Sequence, residues 1–243
     1  MGQVVNRFLP LRCERIPHVR APLPCPLPPD AAMSGAPRLE ECPAVIFLAY
    51  TVGPEAVAGG YADWLVRVDN PFFNAIPGTH HYANWRVDRV MAGAAPVWDW
   101  FDFQGLAAED DLERVWFNPD LDGFRREWIR LWGYGRADPP EVLRHAYLMR
   151  PAKPPKLGRA GPQMALDLGQ GPLPEAPEAD ALFCIESVLR KHFTGAGGRA
   201  EGWMRPAATG NPLGFDWMAL RYGAGAATPG AAVTLETSLI AAP

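Results

Sequence analysis

The chain has little of what most quickly names a protein. Cysteine occurs at four positions in 243 residues, Cys13, Cys25, Cys42 and Cys184, and no two form a CxxC pair. That irregular spacing argues against a zinc site or a disulfide framework, and it fits a reducing, cytoplasmic compartment. No uninterrupted apolar run reaches the roughly 20 residues that a membrane helix needs. Lys and Arg number 23 against 27 Asp and Glu, with a pI near 5.7, and they form no run. The chain therefore lacks the basic face that nucleic acid or a membrane surface would require. Also missing are a Gly-rich phosphate loop after a strand, a dinucleotide fingerprint and a GxSxG elbow. Metal-ligand spacing is absent too, His80-His81 with His145 being the nearest approach to it. The expectation is a protein that works without metal or organic cofactor.

What the chain does have is tryptophan and proline. Nine tryptophans stand out, and each buried indole N–H wants a partner. They read either as an aromatic core or as the lining of a roomy pocket. Seven prolines fall between Pro10 and Pro29, which bars regular helix or central strand there. Residues 1–42 read as a disordered extension, or one mis-started upstream of Met33. A second Pro/Gly-rich stretch, 151–178, reads as a linker. It separates a first unit at 43–150 from a second at 179–243.

Within the first unit, Ala44–Val52 is a β-branched and aromatic strand. Gly53-Pro54 opens a helix in which Val57, Tyr61, Trp64, Leu65 and Val68 recur at helical spacing, and Asp69-Asn70-Pro71 is expected to end it. Thr79–Val90 alternates as a strand with two unlike faces. His80, Tyr82, Asn84, Arg86 and Asp88 share the polar one; His81, Ala83, Trp85 and Val87 share the other, expected to lie on the helices. Val97–Phe103 is its partner strand, with Trp98, Trp100 and Asp102 on one face. Leu121–Trp132 is a second helix and Val142–Met149 a fourth strand. This β-α-β-β-α-β order is the ferredoxin-like unit. Its uncovered sheet face needs a partner.

The second unit echoes the first weakly. Phe215-Asp216-Trp217 echoes Trp98-Asp99-Trp100, and Thr237–Pro243 echoes His145–Pro151. Strands are expected at Ala181–Glu186, Ala200–Arg205, Gly214–Tyr222 and Val233–Ile240, with a helical turn at Ser187–Phe193 and the second helix lost. The fold expected is α+β: two ferredoxin-like repeats in one chain, the second degenerate, forming a pseudo-dimeric barrel.

The run Tyr61–Pro71 (YADWLVRVDNP), then Asn74–Gly78 (NAIPG), then Trp85-Arg86-Val87 is similar to the RedY-like (HapK-type) family of the dimeric α+β barrel superfamily. The similarity covers about residues 44–150. It implies a cavity between two sheets that takes hydrophobic, often aromatic, small molecules. It also implies metal- and cofactor-free chemistry as a cyclase, lyase, decarboxylase or monooxygenase. Members of the family are usually homodimers of a single repeat. This chain departs from them by its second half, so a monomeric pseudo-dimer or a homodimer both remain open.

The polar row on Thr79–Val90 supplies the chemistry. Histidine is the side chain whose unperturbed pKa lies nearest neutrality, which makes His80 the acid/base candidate, and Tyr82, Asn84 and Arg86 follow it on one face. Arg86 suits bidentate binding of a carboxylate, and Asp102 suits orienting a histidine or taking a proton. Trp98 and Trp100 would hold a ring, with Tyr50, His145 and Trp217 further round the cavity. Arg205 and Arg221 are candidate cavity cations; His192 reads as exposed. Asp69, Asn70 and Asn74 read as turn chemistry. The function expected is a cofactor-independent lyase, a decarboxylase above all, acting on a bulky phenolic acid. A cyclase for an aromatic natural product and a non-catalytic carrier of an aromatic ligand are the alternatives.

Overall fold

Eight segments send apolar side chains to one side and mixed ones to the other, and together they close an antiparallel barrel in the order β1-β3-β2-β8-β5-β7-β6-β4. The computed structural model describes residues 39–132, 144–153, 161–176, 178–189, 213–223 and 225–243. The strands are β1 Val45–Tyr50, β2 Thr79–Ala92, β3 Trp100–Leu106, β4 Arg144–Pro151, β5 Gln163–Gly169, β6 Ala181–Val188, β7 Trp217–Arg221 and β8 Ala231–Ala241. β2 pairs with β8 and β4 with β6, so a single chain completes the ring.

Read from β4, the ring runs β4-β1-β3-β2 and then β8-β5-β7-β6: the first four strands and the last four take the same order. The backbone repeats in detail. Asp99 N–H donates to the Tyr50 carbonyl and Val87 N–H to the Asp99 carbonyl; Asp216 N–H donates to the Gly169 carbonyl and Ile185 N–H to the Asp216 carbonyl. Tyr50 and Gly169 close β1 and β5, and Trp100 and Trp217 open β3 and β7.

The barrel is filled. Phe47, Trp85, Trp98, Phe101, Phe103, Tyr147 and Met149 from the first half meet Met164, Leu166, Leu168, Phe183, Met218, Leu220, Val233 and Leu235 from the second. Phe47 alone lies within 5.7 Å, centroid to centroid, of Trp98, Phe101 and Phe103. Helices cover the outer face of the first half. They are α1 Pro54–Ala58, α2 Tyr61–Trp64, α3 Asn70–Asn74, α4 Asp111–Trp116 and α5 Asp120–Trp132, with a π-helical turn Leu65–Asp69 between α2 and α3. A second aromatic layer lies beneath them, where Tyr61 contacts Trp64, Trp100 and Trp132.

Several expectations need correction. Ala83, Trp85 and Val87 face the barrel interior, and Tyr82 and Asn84 face the helices; the assignment of the two faces of β2 is reversed. The apolar side was needed by the other half of the barrel, which periodicity within one strand cannot see. Asp69-Asn70-Pro71 does not end the helix. The π-helical turn carries the chain into α3, with Pro71 in its first turn. β3 begins at Trp100, not Val97, so strict alternation does not reach back to Trp98. The stretch read as a linker contains β5, a seven-residue strand set between Pro162 and Pro172, whose proline punctuation masks its alternation of Met164, Leu166 and Leu168. α4 was not foreseen. Ser187 and Val188 belong to β6 rather than to a helical turn. Leu39 and Cys42, expected in the extension, pack into the barrel core. The strand expected at 200–205, and residues 1–38 and 190–193, lie outside the described residues.

Two glycine substitutions should move stability in opposite directions. A Cβ on Gly169 would lie 2.0 Å from the Trp217 ring, so Gly169→Ala should cost about 1–3 kcal/mol in urea unfolding. Gly123, inside α5, has nothing within 4 Å of an added Cβ, so Gly123→Ala should add about 0.5–1 kcal/mol.

Candidate functional site

Register places the polar row first. Asn84 lies opposite Asp102, Tyr82 opposite Gln104 and Arg86 opposite Trp100, all on the side that carries the helices. Here the structure joins some of the expected site residues and separates others. Tyr50, Tyr82, Asn84 and Asp102 come together. His80 is exposed, beside a bulge between Thr79 and His81. Arg86 is exposed and gives its fork to Asp88, at 2.9 and 3.3 Å. Trp98 is inside the barrel and Trp100 is under the helices. Trp217 lies on the outer face of the second half, over Gly169. His145 is paired through its backbone with Ala49. Arg205 and His192 lie outside the described residues.

The joined residues form a buried hydrogen-bonded cluster around two carboxylates. Asn84 Nδ2 lies 2.8 Å from Asp69 Oδ2 and 2.9 Å from Asp102 Oδ1. Tyr82 donates to Asp69 Oδ2 at 2.8 Å, and Tyr50 donates to Asp102 Oδ1 at 2.9 Å. Asn70 Nδ2 reaches Asn84 Oδ1 at 3.1 Å and the Tyr82 carbonyl at 3.0 Å. Asn74 Oδ1 accepts the Tyr82 N–H at 2.9 Å. Burial, and then the charge of Asp102, push the Tyr50 phenol well above its ordinary pKa; burial does the same to Tyr61, again with Asp102 beside it. These phenols keep their protons; Tyr50 donates to Asp102, and the Tyr61 hydroxyl accepts the Trp128 indole N–H at 3.2 Å.

Sequence reasoning missed Asp69, Asn70 and Asn74, which it assigned to a turn. A signal was present. Tyr61, Leu65, Asp69 and Phe73 recur every four residues and all are buried, so Asp69 occupies a core position in an otherwise apolar stripe. It ends the π-helical turn, a distortion that often accompanies function. The cluster can hold and relay protons, but Asp69, Asn70, Asn84 and Asp102 are each at most 4% exposed. Its evident work is to lock the helices onto β2 and β3.

A second polar knot sits in the other half. Asp167 accepts from Arg221 Nε at 2.7 Å and Nη2 at 3.2 Å, from the Thr228 amide and hydroxyl at 2.9 and 2.7 Å, and from the Thr234 hydroxyl at 2.8 Å. Burial alone would raise the Asp167 pKa; the hydrogen bonds from Arg221, Thr228 and Thr234 outweigh it and hold the carboxyl below its ordinary value. Above this knot opens a cavity of about 440 Å³, lined by Met91, Ala92, Gln163, Met164, Ala165, Arg221, Gly223, Gly225, Ala227, Thr234 and Glu236. Residues 170–180 and 222–230 stand where the first half has its helical crossovers, and neither segment carries a helix among its described residues. No group of three or more His, Cys, Asp or Glu among the described residues is arranged to hold a metal ion. Among the same residues, no helix is long and apolar enough to cross a membrane.

No family model, curated protein or solved structure matches the chain.

Asn84→Leu should cost about 2–4 kcal/mol, because it strips donors from two buried carboxylates. Arg86→Ala, losing only an exposed pair, should stay within about 0.5 kcal/mol in the same urea titration. His81 gives a pH signature. Its Nδ1 is buried without a partner, and burial, with His80 adding to it, lowers its pKa from 6.5 to about 4. Between those values the unfolded chain takes the proton and the folded chain refuses it, so stability falls as pH drops from 6.5 toward 4. The loss should reach on the order of 3 kcal/mol, and His81→Gln should flatten that slope in unfolding curves taken across the window.

Proposed function

We propose that this chain is a single-chain form of the dimeric α+β barrel, with two ferredoxin-like repeats closed on each other, and that it holds a small organic molecule with an apolar body. The repeated β4-β1-β3-β2 and β8-β5-β7-β6 order supports the first part. The cavity beside Arg221 supports the second. Its volume lies within the range of small-molecule sites, and Met91, Ala92, Ala165 and Ala227 give it an apolar lining around a few polar groups. The RedY-like resemblance of residues 44–150 agrees with the first half of this reading, and an aromatic ligand with the second.

Binding is favoured over lyase chemistry. Cofactor-free decarboxylation needs a carboxylate clamp and a proton donor or acceptor at one open site. Here the acid–phenol cluster is buried under the helices of the first half, while the cavity lies at the β2–β8 seam, lined by Met91 and Ala92 and otherwise by the second half. The barrel interior between the two halves is filled with side chains. Ligand would then meet Arg221, Thr234 and the apolar wall, and leave unchanged. The full chain, incubated without added metal or cofactor with aromatic acids, amides, esters and ketones, should be stabilised by some of them without converting them. At a hundredfold excess over Kd the gain should be about 2.7 kcal/mol, and Ala165→Trp, which fills the cavity, should remove it. Mass spectra showing loss of carbon dioxide from an acid would establish the lyase instead, and an isomeric or dehydrated product the cyclase.

A further inference from the structure

The charges around the cavity decide more than its shape does. Among the described lining residues two are charged, Arg221 and Glu236. The Arg221 guanidinium is cancelled from below by Asp167, which is fully buried and receives five donors, so the carboxylate itself asks nothing of a ligand. Glu236, on the same face of β8, is held by Arg89 at 2.7 and 2.6 Å on the exposed rim. Among the described residues the charges of the wall are thus already paired before anything enters. A carboxylate placed against Arg221 would arrive as surplus negative charge between Asp167 and Glu236, and would have to shed its water to do so.

Arg221 nevertheless has something left to give. A guanidinium carries five N–H groups. Among the described residues three are used: Nε and one on Nη2 by Asp167, and one on Nη1 by the Gly225 carbonyl at 2.8 Å. One N–H remains on each terminal nitrogen. Asp167 and Gly225 fix the plane of the fork, so little rotamer entropy remains to be lost on binding. Either can donate to an acceptor that a ligand brings.

Building on the small-molecule reading above, we infer that the cavity selects an electrically neutral ligand: a bicyclic or tricyclic body carrying a carbonyl-type acceptor for Arg221, as in an aromatic amide or ketone. It discriminates against the corresponding carboxylic acid. The ring body lies on Met91, Ala92, Ala165 and Ala227; the acceptor points to Arg221, with the Thr234 and Gln163 side chains beside it.

Matched pairs test this directly. The full chain is titrated at pH 7.5 with 2-naphthamide and 2-naphthoate, and with the amides and acids of anthracene and indole, by ligand-observed NMR and calorimetry. The expected result is an amide that binds at least tenfold more tightly than its acid, with binding lost in Ala227→Trp, a substitution on the exposed rim that leaves the Arg221–Asp167 knot untouched. An acid that binds as tightly as its amide, or more tightly, would overturn the neutral-ligand inference while leaving the small-molecule reading standing. Binding that survives Ala227→Trp would overturn the placement of the ligand. If no member of any pair binds up to its solubility limit, the small-molecule reading itself fails.

Discussion

Two apolar sheet faces, one from the first four strands and one from the last four, cover each other. Phe47, Trp85, Phe101 and Phe103 project from the first four strands, and Met164, Leu166, Met218 and Leu235 from the last four. Everything else in the architecture answers to that meeting. It fixes which side of each strand is inward, and through the strict alternation of strands it fixes the outward set as well. It forces the seams β2–β8 and β4–β6, whose irregular registers absorb the mismatch between the halves.

Once the inner faces are committed to one another, the outer faces are free to differ, and they have. At matching strand positions, Tyr50 and Asp102 of the first half correspond to Gly169 and Ala219 of the second, while Leu48 and Gln104 correspond to Asp167 and Arg221. The first half invests its polar groups in docking helices. The second, with short segments in their place, puts a salt-bridged knot under an open cavity. The same backbone therefore supports a closed face and a receptive one.

Local order was legible in the sequence; sidedness was not. The β-branched run at 45–50, the alternation after Thr79 and the apolar spacing of 120–132 all announce their elements, because each depends on neighbours a few residues away. The echo of Trp98-Asp99-Trp100 in Phe215-Asp216-Trp217 marked two strand starts that do occupy matching places. What escaped was whatever depends on distant partners. Ala83, Trp85 and Val87 read equally well as facing helices or a second sheet, and only the presence of β5 and β8 across the barrel decides. The same blindness sent His80 and Arg86 to a cavity they do not meet. Asp69 was hidden differently, since a carboxylate beside Asn70-Pro71 looks like punctuation until its place in the Tyr61–Leu65–Phe73 stripe is noticed.

The β2–β8 seam has a consequence for synthesis. Residues 84–92 find their partners far along the chain, in 234–241. While the ribosome is still making the second half, β1 to β4 can already zip together, but their inner face, with its phenylalanines and tryptophans, has nothing to cover it. Contacts that span so much sequence form slowly, and bare apolar sheet in the interval invites association with other chains. Until β8 has been made, a protein of this design carries an open, sticky half-shell, so its yield in the cell rests on how quickly that strand follows and on what shields the shell until then.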